Sequence, residues 1–379
     1  MSIRSTIILA AGGTGGHFFP AEAVGIELRC RGFDVHLFTD KRTRGFIDSF
    51  SGDHVHVISS ATVMNKNPFT FMRALSHLMY GACQSFRLIR KLKPCLVAGF
   101  GGYPTLPPLY AATTMHIPTF IHEQNAVMGR ANKFLAAHVN IIAGGFLKKK
   151  GKFAGKIIIT GNPLRASVIE ASEVPYSKRR GKEDFSLLIF GGSQGATFFS
   201  EIVPQALALM DKPTRDRVII TQQARDSDIE KLIKFYKTLG IRAEIQPFFK
   251  KMAELIAGAH YIISRAGALT IAEITAIGRP ALLVPYPYAI DHDQMENAMV
   301  TARLGGIKII RQEELTSARL LMIIHNAISN PDMLENMATE VHTAGRIGAT
   351  QELADVAQAL ATERNRVTLE RGICNENAI

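Results

Sequence analysis

Residues 185–196 read FSLLIFGGSQGA, and they repeat a pattern already met at residues 6–17, TIILAAGGTGGH. Each begins with a compact apolar run of the kind that forms a strand buried on both faces. Each then passes through clustered glycines into a helical pattern, Ala21, Val24, Ile26 and Leu28 in the first case and Ile202, Leu207 and Leu209 in the second. Strand, glycine loop and helix form the phosphate-cradling arrangement of doubly wound α/β folds. Between the two copies, residues 166–184 are polar and charged, as expected of a linker. The restart therefore predicts two α/β domains, residues 1–163 and 164–348, with a polar tail at 364–379.

Within the first half, Val35–Phe38 and Cys95–Ala98 read as further strands, the latter entering a second glycine loop, GFGGYP, at 99–104. Thr119–Ile121 ends at His122, Glu123, Gln124 and Asn125. A polar tetrad at the carboxyl end of an apolar strand lies where open α/β sheets bind ligands. His122 or Glu123 can serve there as acid or base, although such residues are more often held by backbone hydrogen bonds. In the second half, Tyr261–Ile263 runs into a small-residue turn at 264–268. A helix starts near Leu269 and stops at Gly278-Arg279-Pro280. A glycine turn at a helix N-terminus suits a phosphate, and Glu273, one turn further in, can accept two hydrogen bonds from a ribose diol. By itself this stretch is more simply an ordinary strand–turn–helix unit whose Glu273 complements the helix dipole.

The dinucleotide fingerprint fails. A GxGxxG frame starting at Gly13 puts Phe18 in the third glycine position, and one starting at Gly12 puts Thr14 in the second. Asp40 stands about where a ribose-binding acid would, which weakens the dehydrogenase reading without removing it. No Walker lysine follows the loop.

The 379 residues are 47% hydrophobic and 20% charged, which is globular rather than disordered. A net charge of +11 favours an anionic partner. The densest basic cluster, Lys148-Lys149-Lys150-Gly151-Lys152, is short, and no nucleic-acid-binding spacing appears, so no nucleic-acid partner is expected. Four scattered cysteines (Cys30, Cys83, Cys95, Cys374) make no disulfide framework and fit a reducing compartment. The apolar run at Ile7–Ala11 is too short for a signal-peptide core, and no stretch reaches the roughly 18–20 apolar residues of a spanning helix. The expectation is a soluble protein, or one attached to a membrane face.

Asn67-Pro68 signals a helix start. The helix should bury a stripe of Phe71, Leu75, Leu78, Ala82, Phe86 and Ile89, packing on two sides within the domain. Phe69, Met72, Met79 and Leu88 lie off that stripe, among Arg73, Arg87, Arg90, Lys91 and Lys93, so a subset of this surface also suits anionic lipid. His54 with His56, and Asp291 with His292 and Asp293, invite a metal reading; neither group shows a convincing third ligand, and no metal or other cofactor is expected.

The glycine loops GGTGGH (12–17), GFGGYP (99–104) and GGSQGA (191–196) occur in one order with HEQN (122–125), GNPLR (161–165), RAGALTIAE (265–273) and the set Asp291, Gln294, Asn297. In that combination the chain closely resembles the MurG family of bacterial N-acetylglucosaminyltransferases, over nearly its whole length. The resemblance implies a GT-B glycosyltransferase fold, two Rossmann-like domains with an interdomain cleft, the last helix (about 349–363) packing back on the first domain. It implies UDP-N-acetylglucosamine (UDP-GlcNAc) as donor and lipid I, undecaprenyl-pyrophosphoryl-MurNAc-pentapeptide, as acceptor, with inversion to lipid II. It also implies a peripheral position on the cytoplasmic face of the bacterial inner membrane, and cell-wall synthesis and division proteins as partners. Carried over, Glu273 looks like the ribose ligand; Ala268, Leu269, Thr270, Ile271 and Ala272 the loop and helix start around the diphosphate; Ser193 and Arg165 further donor contacts. Phe249 lies where the family meets uracil through backbone. Thr14, Gly15, Gly16 and Asn125 approach the donor sugar, and Gln294 and Asn297 match amides that hold sugar hydroxyls or order their loop. Three positions depart from the family pattern: Asp293 in place of a glutamine, Ala266 in place of a frequent serine, and Lys250-Lys251 where acids are common.

Inverting displacement needs a base for the acceptor hydroxyl and stabilisation of the leaving diphosphate, which a helix N-terminus supplies. His17, with a suitable intrinsic pKa, is the expected base; an imidazole that only shapes the loop or donates to phosphate is an equal alternative, and Glu123 is the second candidate. Gly13, Gly101, Gly102 and Tyr103 are expected to cradle the acceptor pyrophosphate. Rival readings are another GT-B enzyme, such as a glycolipid glycosyltransferase or a UDP-GlcNAc 2-epimerase, and a non-catalytic nucleotide-sugar-binding protein.

Overall fold

The alternation of apolar runs and glycine turns folds into two parallel sheets. A computed structural model describes residues 5–43, 54–61, 68–191, 197–289, 293–302 and 305–362. Asn67, Gly192–Ala196 with Ser193, Asp291, His292 and the tail from 364 lie outside the described residues. The chain divides into two compact units, Met1–Arg165 with Gly348–Ile379, and Ala166–Ile347.

The first unit has strands β1 (Thr6–Ala10), β2 (Asp34–Thr39), β3 (Val55–Val57), β4 (Leu96–Gly99), β5 (Thr119–Glu123), β6 (Ile141–Gly144) and β7 (Ile157–Ile159), in sheet order β3-β2-β1-β4-β5-β6-β7. Every pairing is parallel. Helices α1 (Gly15–Cys30), α2 (Pro68–Leu92), α3 (Leu106–Thr114) and α4 (Arg130–Leu135) lie between them. The unbroken apolar run of β1 has its cause in double coverage. Ile7 and Leu9 pack with Phe18, Ala21, Val24 and Leu28 of α1, whereas Ile8 and Ala10 pack with Ile89 of α2, Leu109 of α3 and Leu135 of α4.

The second unit repeats the winding with β8 (Phe185–Phe190), β9 (Val218–Gln223), β10 (Arg242–Gln246), β11 (Tyr261–Ser264), β12 (Ala281–Leu283) and β13 (Ile307–Ile309), in order β10-β9-β8-β11-β12-β13. Its helices are α5 (Ala166–Ser172), α6 (Thr197–Ala208), α7 (Lys212–Arg215), α8 (Asp226–Thr238), α9 (Met252–Gly258), α10 (Ala268–Ile277), α11 (Asp293–Thr301), α12 (Ser317–Ser329) and α13 (Pro331–Thr343). Helix α10 stops at Gly278, whose φ of +72° is the left-handed conformation that glycine adopts without strain. The neighbouring Arg279 is 1% exposed and ties three segments together. Its guanidinium donates to the carbonyls of Ala257, Ile277 and Val174 at 2.9, 2.6 and 2.9 Å.

After the second unit the chain returns as α14 (Ala349–Ala361), which packs on α1. Leu353, Ala354, Val356, Ala357 and Ala359 complete the core on that face of the first sheet. Arg31 bonds Asp355 at 2.6 Å, and Thr350 Oγ1 takes the N–H of Leu164 and donates to its carbonyl, both at 3.0 Å.

Helix α2 differs from expectation. Its buried line is Ala74, Gly81, Ser85 and Ile89, while Phe71 and Leu75 stand 47% and 48% exposed. Part of the reason is a close approach: a Cβ on Gly81 would lie 2.0 Å from the Ser59 carbonyl oxygen, so no side chain fits at that point of the helix. The bulky side chains turn outward, and Phe69, Met72, Met79 and Tyr80 join the exposed set.

Candidate active site

In a doubly wound sheet the strand order reverses beside the first strand, and the loops at the carboxyl ends there part to leave a crevice. In the first unit that point lies between β1 and β4, so the two glycine loops meet. A Cβ on Gly12 would fall 2.4 Å from the Pro104 ring, and one on Gly101 (φ +96°) 2.8 Å from the His17 imidazole. His17 is thus set directly against the Gly101-Gly102 turn. Its Nδ1 lies 3.1 Å from the Gly12 carbonyl oxygen. A carbonyl only accepts, so the neutral ring carries its proton on Nδ1 and presents a lone pair at Nε2. Burial lowers the His17 pKa against the opposing pull of the Glu123 charge and the Gly12 hydrogen bond, with Arg42 adding to the decrease.

The second base candidate is differently occupied. Glu123 is 2% exposed, and its carboxylate accepts from Asn125 N and Nδ2 at 3.1 Å each, from Gly129 N at 2.9 Å and from Asn132 Nδ2 at 2.9 Å. Four donors use the lone pairs a base would need. The carboxylate instead shapes the 123–129 loop, holds Asn125 and acts on His17 through its charge. His122 is also structural: Nε2 donates to the Gly161 carbonyl at 3.0 Å, and burial lowers its pKa to about 4. Asp40, the residue that kept a dinucleotide reading open, receives the Arg42 guanidinium at 2.8 and 2.6 Å and the Arg42 backbone N–H at 2.9 Å.

Thr14 caps α1 in extended conformation, and Thr14, Gly15 and Gly16 present its N-terminus. Gly13 (φ +82°) lies beside the Arg42 guanidinium, and Gly102 (φ +81°) faces the Gly12 carbonyl. Tyr103 begins the short turn that follows. Arg165, expected in the second domain, groups with the first unit, its guanidinium 4.3 Å from the Phe19 ring centroid.

The second unit has its own switch point between β8 and β11. Ser264 Oγ donates to the Phe190 carbonyl at 2.9 Å, joining the ends of β8 and β11, and Gly191 N donates to Gln223 Oε1 at 3.3 Å, tying the end of β8 to β9 on its other side. The turn Arg265-Ala266-Gly267 then feeds α10, where Ala268, Leu269 and Thr270 present the first N–H groups of the helix. Ile271, Ala272 and half-buried Glu273 follow in that helix. Gln294 Oε1 receives the N–H of Ala266 at 3.3 Å and of Tyr286 at 3.0 Å, and Asn297 Nδ2 donates to the Ala266 carbonyl at 3.3 Å. These two amides order the turn. Both bonds use the backbone of residue 266, so they do not depend on its side chain. Asp293 opens α11. The Phe249 side chain is buried. Lys250 and Lys251 are exposed, and Lys251 pairs with Glu254 at 3.1 Å.

Arg265 was not singled out from the sequence. It is 6% exposed, donates to the Val284 carbonyl at 3.1 Å and to Gln312 Oε1 at 2.7 Å, and lies within 5.0–5.5 Å of the ring centroids of Phe198, Phe199 and Tyr286. Burial lowers its pKa to about 10. A cation held under the α10 turn adds positive potential where an anion is expected. The signal available in the sequence was an arginine directly after an apolar strand.

Two switch points, each with a glycine turn aimed at a helix N-terminus, define a two-unit α/β protein built to hold phosphorylated ligands. The glycosyltransferase family 28 N-terminal domain matches residues 7–143 and the C-terminal domain of the same family matches residues 186–360, so the chain belongs to glycosyltransferase family 28. A Bartonella tribocorum protein named UDP-N-acetylglucosamine–N-acetylmuramyl-(pentapeptide) pyrophosphoryl-undecaprenol N-acetylglucosamine transferase is 51% identical over 378 residues, covering 100% of both chains. The crystal structure of Acinetobacter baumannii MurG superposes with a TM-score of 0.74 at 28% identity, covering 94% of this chain and 99% of that one. A Listeria monocytogenes protein described as a UDP-N-acetylglucosamine 2-epimerase has a TM-score of 0.67 at 11% identity, covering 96% of this chain and 98% of that one, and shares the fold alone.

Proposed function

We propose that this chain transfers N-acetylglucosamine from UDP-GlcNAc to the 4-hydroxyl of MurNAc in undecaprenyl-pyrophosphoryl-MurNAc-pentapeptide, with inversion, releasing UDP. The observation that carries this reading is the 51% identity, end to end, with a relative named for that transfer. The second unit takes the donor. Glu273 accepts the ribose hydroxyls, the N–H groups at Ala268–Thr270 take the diphosphate, Ile271 and Ala272 shape the same turn, and the Phe249 backbone meets uracil. Gln294 and Asn297 act by holding the Ala266 turn, with Asp293, Ser193 and Arg165 as further donor contacts. In the first unit, His17 Nε2 removes the proton of the acceptor hydroxyl. Its Nδ1–H, bonded to Gly12, keeps the lone pair on Nε2, and its lowered pKa keeps the ring neutral. Gly13, Gly101, Gly102 and Tyr103 receive the acceptor pyrophosphate, and Thr14, Gly15, Gly16 and Asn125 the donor sugar. Leaving-group charge is met by the α10 N-terminus.

Among the described residues no helix is long and apolar enough to cross a membrane. We place the protein peripherally on the cytoplasmic face of the inner membrane through α2. Phe69, Met72, Met79 and Tyr80 are 79%, 68%, 63% and 59% exposed, and Arg73, Arg87, Arg90, Lys91 and Lys93 on and just after the same helix suit anionic lipid. Cell-wall synthesis and division proteins are the further partners that follow from this placement.

The test is UDP release from UDP-GlcNAc in EDTA, with and without a lipid I analogue. Release that requires the acceptor supports the transferase. Release without it, accompanied by N-acetylmannosamine, replaces the reading with an epimerase, and donor binding without turnover replaces it with a binding protein.

A further inference from the structure

Sequence alone left His54 and His56 without a third ligand. The fold supplies two from the adjacent strand. β2 and β3 are parallel neighbours with Phe38 opposite His56, so Asp34, His36, His54 and His56 all project from the same face. His36 Nε2 lies 3.2 Å from Asp34 Oδ2, and His54 Nε2 lies 3.1 Å from Asp34 Oδ1. Candidate ligand atoms of Asp34, His36 and His54 all fall within 4.8 Å of one another. The His36 and His54 ring centroids are 4.7 Å apart. The β2–β3 ladder does not need this cluster, since its backbone bonds already make the pairing. We propose that Asp34, His36 and His54 bind one divalent transition-metal ion of the Zn²⁺ type, with His56 supporting His36 from behind.

Two imidazoles and a carboxylate form a borderline nitrogen and oxygen donor set, which suits Zn²⁺ or Co²⁺ and leaves a fourth tetrahedral position for water. In such a site each ligand nitrogen must offer a lone pair, so the ring proton moves to the other nitrogen. For His36 that nitrogen is Nδ1, and His56 Nε2 stands 3.0 Å from it, ready to accept the proton as a hydrogen bond. That hydrogen bond would fix the tautomer and ring orientation of a ligating His36. In the metal-free protein the Asp34 carboxylate holds the His54 proton on Nε2, and metal binding would shift that proton to Nδ1, which is buried with no hydrogen-bond partner among the described residues, a cost the metal bond has to exceed. Asp34 is steadied by the Thr6 hydroxyl at 3.3 Å. Arg29 and Lys91 lie in electrostatic range and oppose a cation, which the Asp34 carboxylate offsets in part.

The site lies at the wrong end of the sheet for catalysis. Asp34 pairs with Thr6 at the start of β1, whereas the glycine loop follows Ala10. At about 3.3 Å per residue the two levels are roughly 13 Å apart. The ion therefore acts as a structural staple on β3, the short edge strand, and transferase turnover does not require it.

The experiment uses untagged full-length protein stripped with EDTA and titrated with Co²⁺, followed by Zn²⁺ competition. The expected result is one Co²⁺ per chain with the intense visible absorption of a four-coordinate site, displaced by Zn²⁺, and a Zn²⁺-dependent rise in Tm. H56Q weakens binding about 10–100-fold by disturbing the hydrogen bond that orients His36, and D34N and H54Q weaken it further and abolish the Tm rise. Because His54 is partly exposed, H54Q should unfold like the metal-free parent, which separates lost binding from lost folding. Absence of a saturable Co²⁺ spectrum, or a spectrum and affinity unchanged in H54Q, overturns the proposal.

Discussion

Acid should unfold the first unit through a histidine that takes no part in the chemistry. His122 is fully buried, its Nε2–H is given to the Gly161 carbonyl, and its Nδ1 has no partner among the described residues. A second proton would have to sit on that buried nitrogen with no acceptor beside it among the described residues. This is why burial lowers its pKa from 6.5 to about 4. Between those values the unfolded chain binds the proton and the folded chain does not, so stability rises with pH and is lost as pH falls. The full difference of 2.5 pH units, from 6.5 to about 4, amounts to about 3 kcal/mol at about 1.4 kcal/mol per unit. Urea unfolding at a series of pH values measures it. Burial also lowers the His56 pKa to about 4, so the informative quantity is wild type minus His122→Gln, in which the amide keeps a donor for Gly161. The difference should fall from pH 7 toward pH 4, with a slope approaching one proton per pH unit. Parallel stability curves for the two proteins would refute the argument.

Three further outcomes test the site. His17→Ala should lower kcat by about 100–10,000-fold with little change in donor affinity, and the wild-type acid limb should fall below the ordinary histidine pKa; near-normal turnover removes His17 as base. Glu273→Ala removes charge-assisted hydrogen bonds of about 1.5–3 kcal/mol each, so the donor KM should rise at least about tenfold, and an unchanged KM ends the ribose assignment. Replacing Phe71, Leu75 and Met79 together by serine should weaken binding to anionic vesicles while leaving the unfolding transition in place, since these side chains are 47%, 48% and 63% exposed; undiminished binding moves the membrane contact elsewhere.

Local signals carried much of this structure. Buried strands such as Ile7–Ala10 and the stop at Gly278 are written in contiguous residues, because double coverage demands an unbroken apolar run and a left-handed turn demands glycine. Facts that depend on which strands become neighbours were not legible. His54 and His56 acquire Asp34 and His36 only once β3 pairs with β2. Glu123 looked available as a base until the amides of Asn125, Gly129 and Asn132 were folded onto it. Helix α2 misled for a related reason. Its apolar residues outnumber the places available against Ser59, and the contest was decided in part by size at Gly81 rather than by hydrophobicity alone.

The packing of α14 on α1 also governs the order in which the molecule can be made. The first unit ends its main segment at Arg165, but its missing helix begins only after Gly348, with the whole second unit translated in between. At about 5–20 residues per second the apolar face of α1 waits roughly 10–40 s for Leu353 and Val356. During that time the second unit, whose segment is continuous, can fold to completion. The half of the protein synthesised first is therefore the half that finishes last, and a chain cut short at residue 347 would expose the α1 face to aggregation or chaperone capture.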